Sequence, residues 1–579
     1  MVKGAEEALH VQLTGSALVA EIKRIFFLLL DKDRSFLAIV MIYGVAISLL
    51  TLAVPVSVQM LINSVAHIAS PHAIGLLSML LLGVMLLYGI LNSMQFYMME
   101  MFERRFYARI TSEFTLRSIY AEHSFYENIN RYELVNRYFD IMNVQKIAPS
   151  LVIGLFSIFL QMAVGIILVS LYHPWLFLFN MCFLLALYAI WRFWGYRALS
   201  ESIHLSEAKY RTARHLEDIA RANSFFKAAG HIDYAIEKID RLTAEYIGHR
   251  KKLFRLVFKQ HVALLLLYAL ASAGLLGIGG LQVINGQLTL GQLVAAELIL
   301  SAVFYSVSTL ANYFRKIYDL GASVEEIHRV FDIPLEEMSG HLYLPEKPAS
   351  IIFKNAEFSD ANNSACFDFT IPAGGKIMAN MAFHKLQSMM LDALKRYNEP
   401  LKGSLLINDI NVLDLEKHRL REQIVVLDRP TIIETTVKEY LRLGKKDATI
   451  SEMNEVLSLV ELDGRIQALP DGMDTQLTVT GNPLTVSETL RLKLAAALLK
   501  KPHVLIVNEF FDTISYVRRK NIFLRLCAVS DMTLVYFSNR EDLDMFDDYL
   551  FIGEHHQLYL GSAAALREYE AAHENEEHN

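Results

Sequence analysis

The sequence predicts a polytopic α-helical membrane domain followed by a mainly parallel α/β domain. Three observations predict it. The chain has 579 residues, too many for one core, and 53% of them are hydrophobic, a high share for a soluble protein. The apolar excess is concentrated before residue 320. Beyond that point short strand-like runs alternate with helical patterns.

Six apolar stretches before residue 320 are long enough, alone or with their helical extensions, for a bilayer that needs about 20 residues per helix. They run from Phe36 to Ala66, Ile74 to Met99, Leu151 to Tyr172, Trp175 to Ile190, Val262 to Leu281 and Leu293 to Leu310. Basic residues gather in alternate connections. Arg104, Arg105, Arg109, Arg117, Arg131, Arg137 and Lys146 follow the second stretch, and a second group from Arg192 to Lys259 follows the fourth. The turns at 67–73, 172–174 and 282–290 carry no Lys or Arg. This asymmetry predicts cytoplasmic termini and a cytoplasmic second domain. Near Lys3 the sequence lacks the pattern of a removable signal peptide.

The two basic connections keep helical periodicity, which predicts membrane helices that continue into the cytoplasm. Each is interrupted, at SFYENINRY (124–132) and EDIARANSFFKAAG (217–230). A short docking helix and a simple hairpin turn both fit these breaks. The domains therefore divide as a cytoplasmic N-terminal segment (1–34), a membrane domain (35–325), a linker (326–350), an α/β domain (351–570) and a tail (571–579). Strand-like runs occupy 351–358, 376–383, 403–408, 423–428, 503–510, 532–538 and 549–553.

Net charge of -7 is small for this length and selects no partner; nothing points to nucleic acid. Cys182, Cys366 and Cys527 give neither a disulfide framework nor metal-ligand spacing, and no metal site is expected. Polar residues inside the membrane stretches, Gln59, Asn63, Asn92, Gln95, Gln161 and above all the ionisable Glu297, mark candidates for a pathway. Glu297 follows Gly291 closely, so an interfacial position near a helix end also fits.

FTIPAGGK (369–376), EPLKGSLLINDINVLDLEKHRLREQIVVL (399–427), ALPDGMDTQL (468–477) and AAALLKKPHVLIVNE (495–509) resemble the framing sequences of ATP-binding cassette exporters. With six membrane helices ahead of them, the whole chain is similar to a half-transporter of that family, from about residue 20 to about 570. The resemblance implies an exporter-type membrane domain, a P-loop-NTPase-like cassette, a dimer in the bilayer, and coupling helices at the two interruptions.

The motifs between those frames depart from the family. A phosphate-cradling loop needs glycines and a lysine. Met381, His384 and Leu386 stand at the glycine positions and Gln387 at the lysine position, while Ser388 is kept. Side chains there fill the space of a phosphate. Asn508 replaces the magnesium-binding aspartate ahead of Glu509, the position of the family's catalytic base. Asn539 matches the switch histidine, Arg429 the magnesium-contacting glutamine and Asp360 the adenine-stacking aromatic residue. The signature LSGGQ is Leu484, Thr485, Val486, Ser487 and Glu488, which puts an anion where a phosphate is received.

By resemblance these are vestigial sites, and the expectation is a retained fold without hydrolysis. No cofactor is expected beyond weak residual ATP and Mg2+. The sequence therefore predicts a degenerate exporter subunit in the plasma (inner) membrane, paired with itself or with a different cassette subunit, exporting a substrate that the sequence does not name. A non-transporting scaffold or regulator, its cassette used for protein docking or ligand sensing, is the other reading.

Overall fold

The computed structural model describes residues 23–24, 27, 31–51, 53–67, 71–127, 136–344, 348–360, 363–381, 384–529, 531–540, 543–553, 557–560 and 564–565. These divide into two units, at Leu335 and Glu336. The tail at 571–579 and residues 128–132 of the first interruption lie outside the described residues.

The first unit is helical: α1 (Arg34–Leu50), α2 (Ala53–His67), α3 (Pro71–Ile119), α4 (His123–Glu127), α5 (Tyr138–Ser170), α6 (Pro174–Arg221), α7 (Asn223–Phe226), α8 (Ala229–Ile284) and α9 (Leu290–Phe331). Among its described residues, six spans are long and apolar enough to cross a membrane. The first is made of α1 and α2 together, with Pro55 in the opening turn of α2, where a missing N–H costs least.

The longest of the described helices, α8, has 56 residues and extends about 84 Å at 1.5 Å per residue, far beyond a hydrocarbon core of about 30 Å. Charged periodic sequence thus continues an apolar span without a break. The turns are set by local chemistry. His173 caps α6 by accepting from the Trp175 N–H at 3.3 Å, with Pro174 as the first helical residue. Thr289 and Gln292 form a reciprocal capping box at the start of α9.

Between α6 and α8 lies the four-residue helix α7, within the second predicted interruption. At the first, α4 is followed by undescribed residues. α9 runs through Phe331, so the first residues of the segment read as a linker are helical.

Helices α5, α6, α8 and α9 bury a shared core around Leu264, Leu275, Leu300 and Phe304. Close approach is achieved at Gly154, where a Cβ would lie 2.5 Å from the Tyr313 hydroxyl oxygen. A polar junction ties the basic ends together. Asp140, 1% exposed, accepts from the Tyr210 hydroxyl, from Ser323 Oγ at 3.2 Å and from Lys209 Nζ at 3.4 Å. Arg137 pairs with buried Glu326 beside it.

The second unit contains two main sheets. β1 (Ile351–Asp360), β2 (Asn363–Ile371), β4 (Lys402–Ile407) and β5 (Ile410–Asn411) form an antiparallel sheet in the order β2-β1-β4-β5. β3 (Lys376–Met381), β6 (Ile424–Leu427), β9 (Val504–Val507), β10 (Thr533–Phe537), β11 (Asp548–Ile552) and β12 (Gln557–Leu560) form the other, in the order β12-β11-β3-β10-β9-β6. All its pairings are parallel except β11 with β12. A short pair, β7 (Thr435–Thr436) with β8 (Gln476–Leu477), stands apart.

The single mainly parallel sheet read from the sequence is thus refined: the runs at 351–358 and 403–408 belong to a separate antiparallel sheet. β2 was not among the predicted runs. Its signal was the alternation Ala365, Phe367, Phe369, Ile371, all buried against Phe353 and Phe358.

Helices α10 (His384–Leu394), α11 (Lys417–Gln423), α12 (Val437–Gly444), α13 (Ile450–Leu459), α14 (Asp463–Gln467), α15 (Val486–Leu499) and α16 (Tyr516–Cys527) complete this unit. Successive residues of the central strands enter opposite cores. Leu505, Val507, Leu534 and Tyr536 join one cluster, and Val504, Ile506, Val535 and Phe537 the other. A parallel sheet buried on both faces requires such continuous apolar strands.

Candidate functional site

The parallel sheet delivers the chemistry-bearing positions to the ends of its strands. β3 leads into α10, whose first turns carry His384, Leu386, Gln387 and Ser388. β9 leads to Asn508 and Glu509 in a short 3-10 turn (Glu509–Thr513). β10, between them in the sheet, leads to Ser538 and Asn539. These segments converge because β3, β10 and β9 are adjacent and parallel.

Gln387, 4% exposed, donates from Nε2 to Glu509 Oε2 at 2.9 Å. His384 places Nδ1 3.4 Å from the other oxygen of the same carboxylate, Oε1. Two residues that the sequence resemblance aligns with the phosphate loop, Gln387 and His384, therefore close on Glu509, which it aligns with the catalytic base. Leu386 turns into the core, and Ser388 Oγ points along its own helix to Asp392 Oδ2 at 3.5 Å. Asn508 is 4% exposed, and its Oδ1 is buried without a hydrogen-bond partner. Met381 ends β3, half-buried.

Asp512 is the hub that the sequence reading missed. Its carboxylate accepts from the Tyr536 hydroxyl, from Ser538 Oγ at 2.8 Å and from the Asn539 backbone N–H at 3.0 Å, with the fully buried Arg519 guanidinium 3.5 Å away. Burial first, then the adjacent Asp512 charge, holds the Tyr536 phenol well above its ordinary range. Asn539 is thus fixed through its backbone. The spacing of Asp512 from β9 gave no motif that could have marked it.

The signature positions are engaged elsewhere. Thr485 caps α15, accepting from the Glu488 N–H at 3.3 Å, while Glu488 Oε2 accepts from the Thr485 N–H at 2.9 Å. Arg465 Nε lies 3.3 Å from Glu488 Oε1. Burial raises the Glu488 pKa, but the hydrogen bonds from Thr485 and the charge of Arg465 outweigh it and leave it below the usual value. The capping box was legible as T-x-x-E; Arg465 was not. Leu484 is buried, Val486 is 49% exposed, and Ser487 contributes its backbone carbonyl to Arg491.

Arg429 is exposed in the loop after β6, its carbonyl accepting from Lys493 Nζ at 2.6 Å. Lys493 also pairs with Asp428 at 3.0 Å, so this loop is tied to α15. Asp360 is the last residue of β1, in register with Asn363. In the membrane unit, Glu297 is the eighth residue of α9. Its Oε1 accepts from Ser301 Oγ at 2.9 Å, and its Oε2 is buried without a hydrogen-bond partner.

Of the polar membrane residues, Gln95 Nε2 reaches the Val40 carbonyl at 3.4 Å, Gln59 accepts from the Tyr172 hydroxyl at 3.1 Å and Gln161 accepts from Ser306 at 3.5 Å. Asn92 is exposed, and the side chain of Asn63 lies outside the described residues.

Residues 37–307 match the family model described as the ABC transporter transmembrane region. The fold is similar to that of a bacterial Atm1-family ABC exporter solved with ATP bound, with a TM-score of 0.77 and 16% identity over 93% of this chain and 96% of that one. The chain has the fold of an ABC exporter half-transporter.

Curated relatives of this exporter fold include the mitochondrial iron–sulfur clusters transporter ATM1 of Saccharomyces cerevisiae, 28% identical over 42% of this chain and 36% of its own length. The transport/processing ATP-binding protein ComA of Streptococcus pneumoniae serotype 4 is 24% identical, over 52% and 43%. The alpha-hemolysin translocation ATP-binding protein HlyB of Escherichia coli O157:H7 is 27% identical, over 46% and 38%. The chain spans less than half the length of each of these relatives.

Proposed function

We propose that this chain is a catalytically degenerate subunit of an ABC exporter. It contributes helices to a pathway across the plasma (inner) membrane, with both termini and the cassette cytoplasmic, and works as a dimer with a second cassette subunit. The observation that carries the loss of catalysis is the Gln387 hydrogen bond to Glu509. An amide cannot supply the charge-assisted phosphate contact of a lysine, worth about 1.5–3 kcal/mol. Here it is also committed to the carboxylate that would otherwise orient water.

The residues present do not fit Mg2+ and ATP. Asn508 offers a neutral oxygen in place of a carboxylate, and Glu488 already occupies the helix N-terminus of the signature segment. We assign no nucleotide-dependent step to them.

Transport is favoured over the scaffold reading by α9. Ala302, Tyr305, Asn312 and Lys316 lie at helical spacing on one exposed face, Tyr305 being 66% exposed. Asn312 and Lys316 continue this face beyond Leu310, where the helix leaves the hydrocarbon, and within the span Glu297 Oε2 is buried without a hydrogen-bond partner, an ionisable group that suits a protein-lined pathway rather than hydrocarbon. The name of the relative ATM1 points to iron–sulfur clusters as its cargo and that of HlyB to alpha-hemolysin; neither names the cargo of this chain.

Affinity purification of the chain from its native membrane, with subunit identification, tests this reading. A co-purifying cassette subunit with intact motifs is expected. Homodimers alone, with no export defect on deletion, would overturn it.

A further inference from the structure

The membrane unit contains an apolar cavity of about 420 Å³ between α5, α6 and α9, apart from the positions discussed above. Leu151, Leu155, Trp191, Leu199 and Ile317 contribute to its lining, and the exposed Lys23 is the charged residue among those that line it. Its size falls in the range of small-molecule sites. Its location identifies the occupant more closely.

Counted from the connections at their far ends, the lining residues of α9 lie about 40 to 47 Å along its axis and those of α5 and α6 about 22 to 38 Å. A hydrocarbon core of about 30 Å ends within the second of these intervals. Trp191 and Tyr196, both lining the cavity, are residue types that settle at such a boundary. Arg192 and Arg197 adjoin them in sequence, on the basic side of the membrane.

An apolar space of this size forfeits dispersion contacts on every wall unless something apolar fills it. Gly195 contributes to the room: a Cβ there would lie 3.1 Å from Trp191 Nε1. At the basic boundary of the hydrocarbon an acyl chain is an available apolar filler, and Lys23 brings a cation to the same cavity.

We propose that this cavity is a binding site for an anionic phospholipid of the surrounding leaflet, with one acyl chain between α5, α6 and α9 and the phosphate at Lys23. The site selects charge through Lys23 and accepts the chain through shape. Its occupancy fixes three helices against one another at the point where they leave the membrane.

The test uses the full chain with Trp175→Phe and Trp194→Phe, which leaves Trp191 as its only tryptophan. It is reconstituted in bilayers containing equal mole fractions of phosphatidylglycerol and phosphatidylcholine, with brominated acyl chains on one or the other. Brominated phosphatidylglycerol is expected to quench Trp191 with an apparent affinity about fivefold greater, the preference that one lysine near a membrane surface confers. Lys23→Ala, at an exposed position that leaves packing intact, is expected to abolish that preference. Val152→Phe, filling the cavity, is expected to reduce quenching by both lipids. Equal quenching by the two lipids, a preference that survives Lys23→Ala, or quenching unchanged by Val152→Phe would each overturn the proposal.

Discussion

Gln387 Nε2 and Glu509 Oε2 are 2.9 Å apart, an amide donating to a carboxylate across the tips of α10 and β9. The bond joins segments 122 residues apart in the chain, with His384 Nδ1 at 3.4 Å from the other carboxylate oxygen, and it stabilises the cassette by holding α10 to the end of β9. Gln387→Ala is therefore expected to lower the local stability of the 384–394 and 504–513 segments by about 1–2 kcal/mol. Hydrogen exchange on the full chain would read this. In a double-mutant cycle with Glu509→Ala the two losses are expected not to add.

The capping box at 485–488 is expected to behave as a helix start. Thr485→Ala should cost about 1 kcal/mol in α15. Glu488 is held below its ordinary pKa, so its contribution is fully present above the unfolded carboxylate value of about 4.3 and is lost as pH falls through the lower folded value. The stability difference between wild type and Glu488→Gln should thus shrink as pH is lowered from 7 to 3. A pH-independent difference would show that the charge plays no part.

These two groups mark how far the sequence carried. Strands with continuous apolar character, such as 504–507 and 533–537, were legible because burial on both faces demands it. β2 was hidden by polar residues on its alternate face. At the site, the substitutions at 384, 387, 508 and 488 were visible as departures from a pattern. Where their side chains turn was not, since Gln387 meets Glu509 across 122 positions and Glu488 meets Arg465 across 23, encounters fixed by sheet order and helix packing alone.

Lys395 provides a second pH test of opposite sign. Burial first, then the nearby Lys500 and Arg421 charges, push its ammonium down to about 8, while its Nζ donates to backbone carbonyls of Arg421 and Ile424. Between pH 8 and the unfolded lysine value of about 10.4 the unfolded chain binds more protons, so this residue's contribution to stability rises with pH across that window. The full change is about 3 kcal/mol. Lys395→Met should flatten the pH dependence of exchange in α10 between pH 8 and 10.

Asp140 anchors α5 to α6 and α9 through Tyr210, Lys209 and Ser323. Replacing it by Ala leaves those donors without their acceptor in a buried junction. A loss of about 3–5 kcal/mol is expected, seen as a lowered thermal transition of the detergent-solubilised chain. Asp140→Asn should recover part of it by accepting from Tyr210.

The central claim is that the cassette keeps its fold and has lost its nucleotide chemistry. Titration calorimetry of the purified full chain in lipid nanodiscs with Mg-ATP tests it most directly. The account predicts no saturable heat, in wild type and in Ser388→Ala alike. Micromolar binding by wild type that disappears in Ser388→Ala would contradict it.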